Sequence, residues 1–279
     1  MRVPRIYCAS PLAPPKASLD DSAAQHLVKV LRLRPPAPVI LFDGLGGEWD
    51  AELDELGPPV RCNLVRHHPV ERESPLALVL IQGLPRADTM DLIIQKATEL
   101  GASELVPVIT QRSPKGFGPE RAPKRLRHWS GIVRSACEQS HRTRLPRLAP
   151  ISTLEAALTR WGETDTDAPN PSPSTLRLML TPNRGTPLRQ HLHAVAMGEF
   201  APPQARTPLH AILAIGPEGG WNDDEQAAAA AAGFRLASLG PRILRAETAA
   251  IAALTLVQDT LGDLAADDHE TRVARWDVR

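Results

Sequence analysis

The sequence predicts an α/β protein: an open, mostly parallel sheet with helices on both faces over the larger C-terminal part, preceded by a small β-rich unit. Three observations predict it. From Leu76 onward, short apolar runs alternate with amphipathic stretches, as in successive βα units. Before that point the chain carries a hairpin pattern around a glycine cluster. Near the C-terminus, over residues 213–221 and 238–249, two apolar runs each stop at Gly-Pro and then open into a helical pattern.

In the N-terminal unit, Leu27, Val30, Leu31 and Leu33 fit one short helix over 20–33, with His26, Lys29 and Arg32 beside them. Pro38-Val39-Ile40-Leu41-Phe42 is an apolar run ending in Asp43-Gly44-Leu45-Gly46-Gly47, after which Trp49 and Ala51 resume an alternating pattern; this predicts a hairpin. No helical pattern follows these glycines, so they are not a dinucleotide fingerprint. Residues 61–66 supply a further strand, and the polar segment 67–75, with two prolines, is the predicted domain boundary.

Beyond it, strands are expected at 76–81, 105–109, 176–180 and 209–215. Helices are expected at 88–100, closed by Gly101, at 121–140, with Leu126, Trp129, Val133 and Ala136 on one face, and at 154–161. Segment 162–175, rich in Pro, Thr, Asp and Ser, reads as a mobile insertion, and 201–208 as a second proline-rich loop. Asn222 with Glu225 three residues on predicts a capping box. The last helix, 246–264, places Ile251, Leu254, Val257 and Leu261 on one stripe flanked by alanines, which suits close packing in a core or across a subunit interface. The polar tail after it is expected to fray.

Composition narrows the function classes. The 279 residues suffice for two domains, and 42% hydrophobic with 23% charged residues is ordinary for a globular protein. No apolar run approaches the roughly 18 residues of a membrane span, and residues 1–7 lack the apolar stretch of a signal peptide. A cytoplasmic location is therefore expected. Cys8, Cys62 and Cys137 are scattered and read as reduced thiols. The histidine pairs His67/His68 and His191/His193 lack a further ligand at metal spacing, so no metal is expected. Formal net charge is zero, yet between Arg112 and Arg147 ten basic residues face only Glu120 and Glu138. Such a field either tracks phosphates or is a solvated helix face with loop arginines.

Most specific are the two glycine turns. Gly216-Pro217-Glu218-Gly219-Gly220 lacks the Gly-Lys-Ser/Thr ending of a phosphate loop and the G-x-G-x-x-G spacing of a dinucleotide fold. With apolar residues Leu239, Ile243 and Leu244 nearby, the turns suit an adenine ring and a thioether better than a triphosphate. The alternative is two tight strand-to-helix turns with no ligand.

Ile215-Gly-Pro-Glu-Gly-Gly220 followed by Leu239-Gly-Pro-Arg-Ile-Leu-Arg-Ala-Glu-Thr-Ala249 resembles the methyltransferases of the SPOUT superfamily, and within it the bacterial RsmE-type enzymes that methylate N3 of a uridine in 16S ribosomal RNA. Gln95-Lys-Ala-Thr-Glu-Leu-Gly101, Gln111-Arg-Ser113 and Glu138-Gln-Ser-His-Arg142, with Leu145-Pro146 after it, are similar to that family's internal motifs. His26-Leu-Val-Lys-Val-Leu-Arg32 and Phe42-Asp-Gly44 resemble its N-terminal PUA-like domain. The chain departs from the common pattern at Trp221, where phenylalanine is usual, and at Asn222, where serine is frequent; both keep the residue type.

The resemblance implies a small N-terminal PUA-like β-barrel domain over 1–72, a SPOUT domain over 73–265 with a deep trefoil knot at about 176–264, and a flexible tail over 266–279. It implies a homodimer formed through the knot domain, acting on 16S rRNA in the 30S subunit, with S-adenosylmethionine as cofactor and neither metal nor membrane. Leu180, Thr181, Pro182, Ile215, Gly216, Glu218, Gly219, Gly220, Leu239, Gly240, Ile243, Leu244 and Arg245 would bind the cofactor. His26, Lys29, Arg32, Arg112, Gln139 and Arg142 would contact RNA. Uracil N3–H is weakly acidic and must lose its proton, so a base or a cation that stabilises the anion is needed. Arg245 and Glu247 are the local candidates, Arg245 for the charge and Glu247 for orienting it or taking the proton. A salt bridge at the helix start is the alternative for that pair.

Overall fold

The structure, a computed structural model, describes residues 3–118, 120–162, 175–182, 184–198 and 210–265. Of the expected loop over 162–175, only its ends Gly162 and Thr175 are described; the rest of it, the loop over 201–208 and the tail over 266–279 lie outside the described residues. The chain divides into two compact units: residues 1–73, 94–105 and 116–150 form one, and 74–93, 106–115 and 151–279 the other.

In the first unit, β1 (Arg5–Tyr7), β2 (Lys16–Ser18), β3 (Ala37–Phe42), β4 (Glu48–Glu55) and β5 (Arg61–His68) form a sheet of order β1-β3-β4-β5-β2. β1 runs parallel to β3, and the other pairs are antiparallel. The expected β3–β4 hairpin is present, and Ile6, Leu27, Leu41, Leu53 and Cys62 share one core. Burial pushes the Cys62 thiol up to about 11, so it packs as an inert apolar group. The helix expected over 20–33 is shorter. α1 (Asp21–Gln25) is capped by Asp20 and continues only as a π-helical turn over His26–Val30. Arg32 turns left-handed at φ 55°, and the amides of Leu31 and Leu33 close back on the carbonyls of His26 and Leu27, which ends the helix before Leu33. The boundary expected at 67–75 also starts later, because β5 runs through His68. His67 packs on Trp49 with ring centroids 5.0 Å apart, and His68 pairs with Glu48 in the β4–β5 ladder.

Two helices also contribute here: α2 (Ala87–Glu99) through its C-terminal end, and α3 (Ala122–Ser140). α3 buries Trp129, Val133, Ala136 and Cys137, as its periodicity predicts, while Leu126 is half-buried. The segment Glu71-Arg72-Glu73 is pinned residue by residue. Glu71 accepts from Thr143 Oγ1 at 3.1 Å and Arg144 Nε at 2.8 Å. Arg72 donates to both oxygens of Glu48, at 3.1 and 2.9 Å. Glu73 is gripped by Arg142 through Nε and Nη2.

Glu48 is also held by the buried Arg5, whose Nε donates to it at 2.9 Å and whose other nitrogens reach the carbonyls of Cys137 and Arg142 at 2.8 Å. Burial alone would raise the Glu48 carboxyl, but hydrogen bonds from Arg72 and Arg5 outweigh it and hold the group below its ordinary 4.5. The pairing therefore stabilises fully above that value and is lost as pH falls through the lowered folded value. Glu48→Gln is expected to cost about 3–5 kcal/mol near neutral pH, because two guanidinium groups lose their counter-charge. Denaturant melts between pH 7 and pH 3 would show that difference shrinking toward acid.

The larger sheet contains β6 (Ala77–Gly83), β7 (Glu104–Ile109), β8 (Arg147–Leu148), β9 (Ser152–Thr153), β10 (Thr175–Leu180), β11 (Thr186–Pro187), β12 (His210–Ile215) and β13 (Arg235–Ser238). Its order is β11-β13-β10-β12-β6-β7-β8, with β9 also on β7. The registered pairs are parallel, as expected. Leu78 to Ile81 and Ala211 to Ile215 are continuously buried, the pattern of strands covered on both faces. The connecting helices are α4 (Leu154–Trp161), α5 (Leu188–Ala196), α6 (Asp223–Ala231) and α7 (Ala246–Leu261). The capping box at α6 is present, with Asn222 Oδ1 accepting from the Glu225 amide at 2.6 Å and Glu225 Oε2 from the Asn222 amide at 2.8 Å. α7 ends at Leu261 rather than 264. Its buried side is Ala246, Ala250, Ala253, Leu254, Val257 and Gln258, so Ile251 and Leu261 sit half-buried at its margins.

Candidate functional site

The register of three neighbouring strands builds the site. Leu180 at the end of β10 lies beside Ile215 at the end of β12 and beside Ala237 in β13. Their outgoing loops therefore emerge together at the carboxyl edge of a parallel sheet, where such folds bind ligands. Between them is a cavity of about 660 Å³, within the range of small-molecule sites.

All thirteen residues expected to hold a cofactor line it. Leu180, at the end of β10, is followed by Thr181 and Pro182 of the next loop; Ile215, at the end of β12, by Gly216, Glu218, Gly219 and Gly220; Leu239, Gly240, Ile243, Leu244 and Arg245 come from the loop after β13. Thr181 donates its amide to Ala237 O at 2.8 Å and its hydroxyl to Arg184 O at 2.7 Å, which ties the first loop to the third strand. Gly220 and Gly240 adopt left-handed backbone, φ 66° and 98°, and a side chain built at either would meet nothing within 4 Å. Both glycines thus leave open space where a ligand can approach the backbone. Gly216 has a tighter role, since a Cβ there would lie 3.2 Å from Gly220 Cα.

Arg112 also lines the cavity, yet its guanidinium is turned onto the loop. Nη1 donates to Gly219 O at 2.8 Å and to Trp221 O at 3.2 Å. The buried Trp221 donates in turn from Nε1 to Leu180 O at 3.1 Å. Gln111 joins the same brace: its amide donates to Glu225 Oε1 at 2.9 Å, and its side-chain oxygen accepts from Asn222 Nδ2.

Arg245 is exposed, lines the cavity and precedes α7 as its N-cap. Glu247 is half-buried in the first turn of α7 and is not part of the lining. Among the described residues no ion pair joins the two. The other expected RNA contacts lie in the first unit. Lys29, Arg32 and Gln139 are exposed and His26 is half-buried. Arg142 does not face solvent: it is 4% exposed. Besides Glu73, its Nη1 serves the carbonyls of Thr98 and Ala102, both at 2.9 Å. A guanidinium with every nitrogen engaged inside the chain is a strut, and the motif around it holds the 71–73 segment.

Two supporting residues escaped sequence reasoning. Gln82, 1% exposed at the end of β6, directs Nε2 at the carbonyls of Gly83, Ile215 and Gly216, at 2.9, 3.2 and 3.2 Å. Gly83 leaves room for Pro217, whose Cδ would lie 2.6 Å from a Cβ placed there. Arg184, Asp223 and Arg242 complete the charged margin of the cavity. The signal for Gln82 was a lone amide ending an apolar strand.

The family model for an RNA methyltransferase domain matches residues 72–258, and that for an RNA methyltransferase PUA domain matches residues 19–58. A ribosomal RNA small subunit methyltransferase E of Synechocystis is 34% identical over 244 residues, covering 88% of this chain and 73% of the relative. The chain belongs to this RNA methyltransferase family. A relative of the same description from Bacillus subtilis is 28% identical over 87% of this chain and 90% of its own. Among solved structures, the family's small subunit methyltransferase E from Neisseria gonorrhoeae, bound to S-adenosyl methionine, is 34% identical, with a TM-score of 0.76 over 94% of this chain and 100% of its own. A methyltransferase of Legionella pneumophila, in complex with the same cofactor, is 32% identical, with a TM-score of 0.80 over 95% and 100%. The parallel α/β fold and the N-terminal PUA segment expected from sequence therefore hold.

Proposed function

We propose that this protein methylates N3 of a uridine in the 16S rRNA of the small ribosomal subunit, using S-adenosylmethionine. The observation that carries the reading is the cavity walled by three adjoining strand-end loops, with left-handed glycines open toward it and arginines at its margin. The residues fit this cofactor. Leu180, Ile215, Leu239 and Leu244 offer apolar walls, backbone groups of the two glycine turns offer polar contacts, and the Gly-Lys-Ser/Thr element needed for a triphosphate is missing from the sequence. When bound, the cofactor supplies an electrophilic methyl group on a sulfonium.

The chain's own residues do the rest. The braced loops hold the cavity in a fixed shape, which keeps reacting groups in near-attack geometry. Arg245 places a cation where negative charge develops on uracil O2 or O4 as N3 loses its proton. Glu247, half-buried in the first turn of α7, is assigned to receiving the proton. A base within folded RNA must be unstacked to expose N3, and Lys29, Arg32, His26, Gln139 and Arg112 are assigned to RNA. Arg112 would serve partly through the loop it braces, and Arg142 is given a structural role instead.

In this reading residues 1–72 are an RNA-binding PUA-like domain and 73–265 the SPOUT methyltransferase domain. The loops after β10, β12 and β13 form a trefoil knot, and the protein works as a cytoplasmic homodimer through the knot domain. The experiment is methyl transfer from labelled S-adenosylmethionine to 30S subunits, free rRNA and tRNA, with the nucleoside identified by mass spectrometry. 3-Methyluridine from 30S particles is expected; 2′-O-methylation, or no cofactor binding by the folded protein in calorimetry, overturns the reading.

A further inference from the structure

The charge on α3 works against its own helix. Arg121 occupies its N-cap position without a side-chain capping bond, and Lys124, Arg125 and Arg127 stand in its first two turns, while its first turn holds no acidic residue. A helix N-terminus is already the positive end of the dipole. Arg125 lies over the ring of the buried Phe117, its guanidinium carbon 4.4 Å from the centroid. Arg121, Lys124 and Arg127 are exposed, and among the described residues no ion pair joins any of them to a carboxylate.

A second, independent feature lies on the same side. Lys124, Arg127, Gly131 and Ser135 follow one another at helical spacing opposite the buried Trp129, Val133 and Ala136, and all four are exposed. Gly131 sits in the middle of a 19-residue helix, where glycine is the poorest ordinary choice. A Cβ built on it meets nothing within 4 Å, so no packing inside the chain requires a glycine. An exposed glycine at this point leaves space into which another molecule's backbone can come close.

We propose that this face of α3 seats a strand of ribosomal RNA, with Arg121, Lys124 and Arg127 on phosphate oxygens and Gly131 making room for the sugar–phosphate backbone. The inference rests on the reading of the protein as an rRNA methyltransferase and adds a phosphate-binding surface to it. Cations at i, i+3 and i+6 advance about 4.5 Å per step along the helix. A continuous polyanion can answer all three at once. The charge that weakens the helix in isolation is then neutralised in the complex.

The test is direct binding of the full-length chain to 30S subunits lacking the N3 methyl group, by filter retention over a range of KCl concentrations, so that it needs no turnover. The triple variant R121Q/K124Q/R127Q is expected to bind about tenfold more weakly or worse, and to lower the slope of log Kd against log salt by about 2, at roughly 0.7 per phosphate contact. Gly131→Glu should weaken binding as well, whereas Gly131→Ala should raise Tm. S-adenosylmethionine affinity should be unchanged in all of them. A folded triple variant with the parental Kd and salt slope overturns the proposal. So does a change in sedimentation without a change in RNA binding, which would give the face to a second copy of the chain. A protein that binds subunits through this face but forms no methyluridine overturns the enzymatic reading and leaves this one standing.

Discussion

Replacing Gly83 with alanine is expected to weaken S-adenosylmethionine binding by about 5- to 150-fold, although Gly83 does not line the cavity. The added methyl would sit 2.6 Å from Pro217 Cδ, 3.0 Å from Pro217 N and 3.1 Å from Thr110 Cγ2. Two of these atoms belong to a proline ring and its backbone, which cannot swing away as a side-chain tip could. Thr110 is buried, so it cannot absorb the strain either. The whole 216–220 turn must move, and overpacking of this kind costs about 1–3 kcal/mol. Because that turn supplies four of the thirteen expected cofactor contacts, the strain should appear as lost affinity at about 1.4 kcal/mol per decade. Calorimetry on the variant, with Gly118→Ala as the control, measures it. A Cβ at Gly118 meets nothing within 4 Å, so the control should bind as the parent does. Parental affinity in Gly83→Ala would refute the idea that β6 sets the position of the turn.

This case also marks where sequence reading stops. The two glycine turns were legible because their cause is local: each needs glycine and proline at fixed places in a strand-to-helix turn. The Asn222–Glu225 capping box and the Trp129 face of α3 were legible for the same reason. Gln82 and Gly83 were not, because their roles exist only once β12, more than a hundred residues away, is laid beside β6. Arg142 misled in the opposite direction. Its motif, Glu138-Gln-Ser-His-Arg142, resembles the family's and suggested RNA, and only the folded chain sets Glu73 and the carbonyls of Thr98 and Ala102 against it. β8, β9 and β11 are two residues each, too short to show a period. α5 was passed over although Leu188, His191 and Leu192 form its buried edge, because histidine and arginine interrupt its apolar pattern. What long-range pairing decides, local pattern cannot supply.

The same distinction governs the chemistry. Arg245→Met is expected to lower kcat by about 10²- to 10³-fold, the usual loss when one donor to a developing anion is removed, and to weaken S-adenosylmethionine binding by much less, since Arg245 is one of thirteen expected contacts. Arg245 is exposed at the cavity wall and unpaired with Glu247, so its charge is available to a ligand and not spent on the helix start. If it stabilises the uracil anion, deleting it raises the effective N3 pKa in the complex. The variant's kcat should then climb nearly tenfold per pH unit across an alkaline range in which the parent is already flattening. Arg245→Lys keeps a cation without the planar fork and should recover part of the rate. Single-turnover methyl transfer from pH 6.5 to pH 9.5 separates the possibilities. A pH-independent loss that tracks weaker cofactor binding would limit Arg245 to holding the cofactor. A loss in kcat that fades with rising pH and exceeds any loss in cofactor affinity ties the residue to the proton.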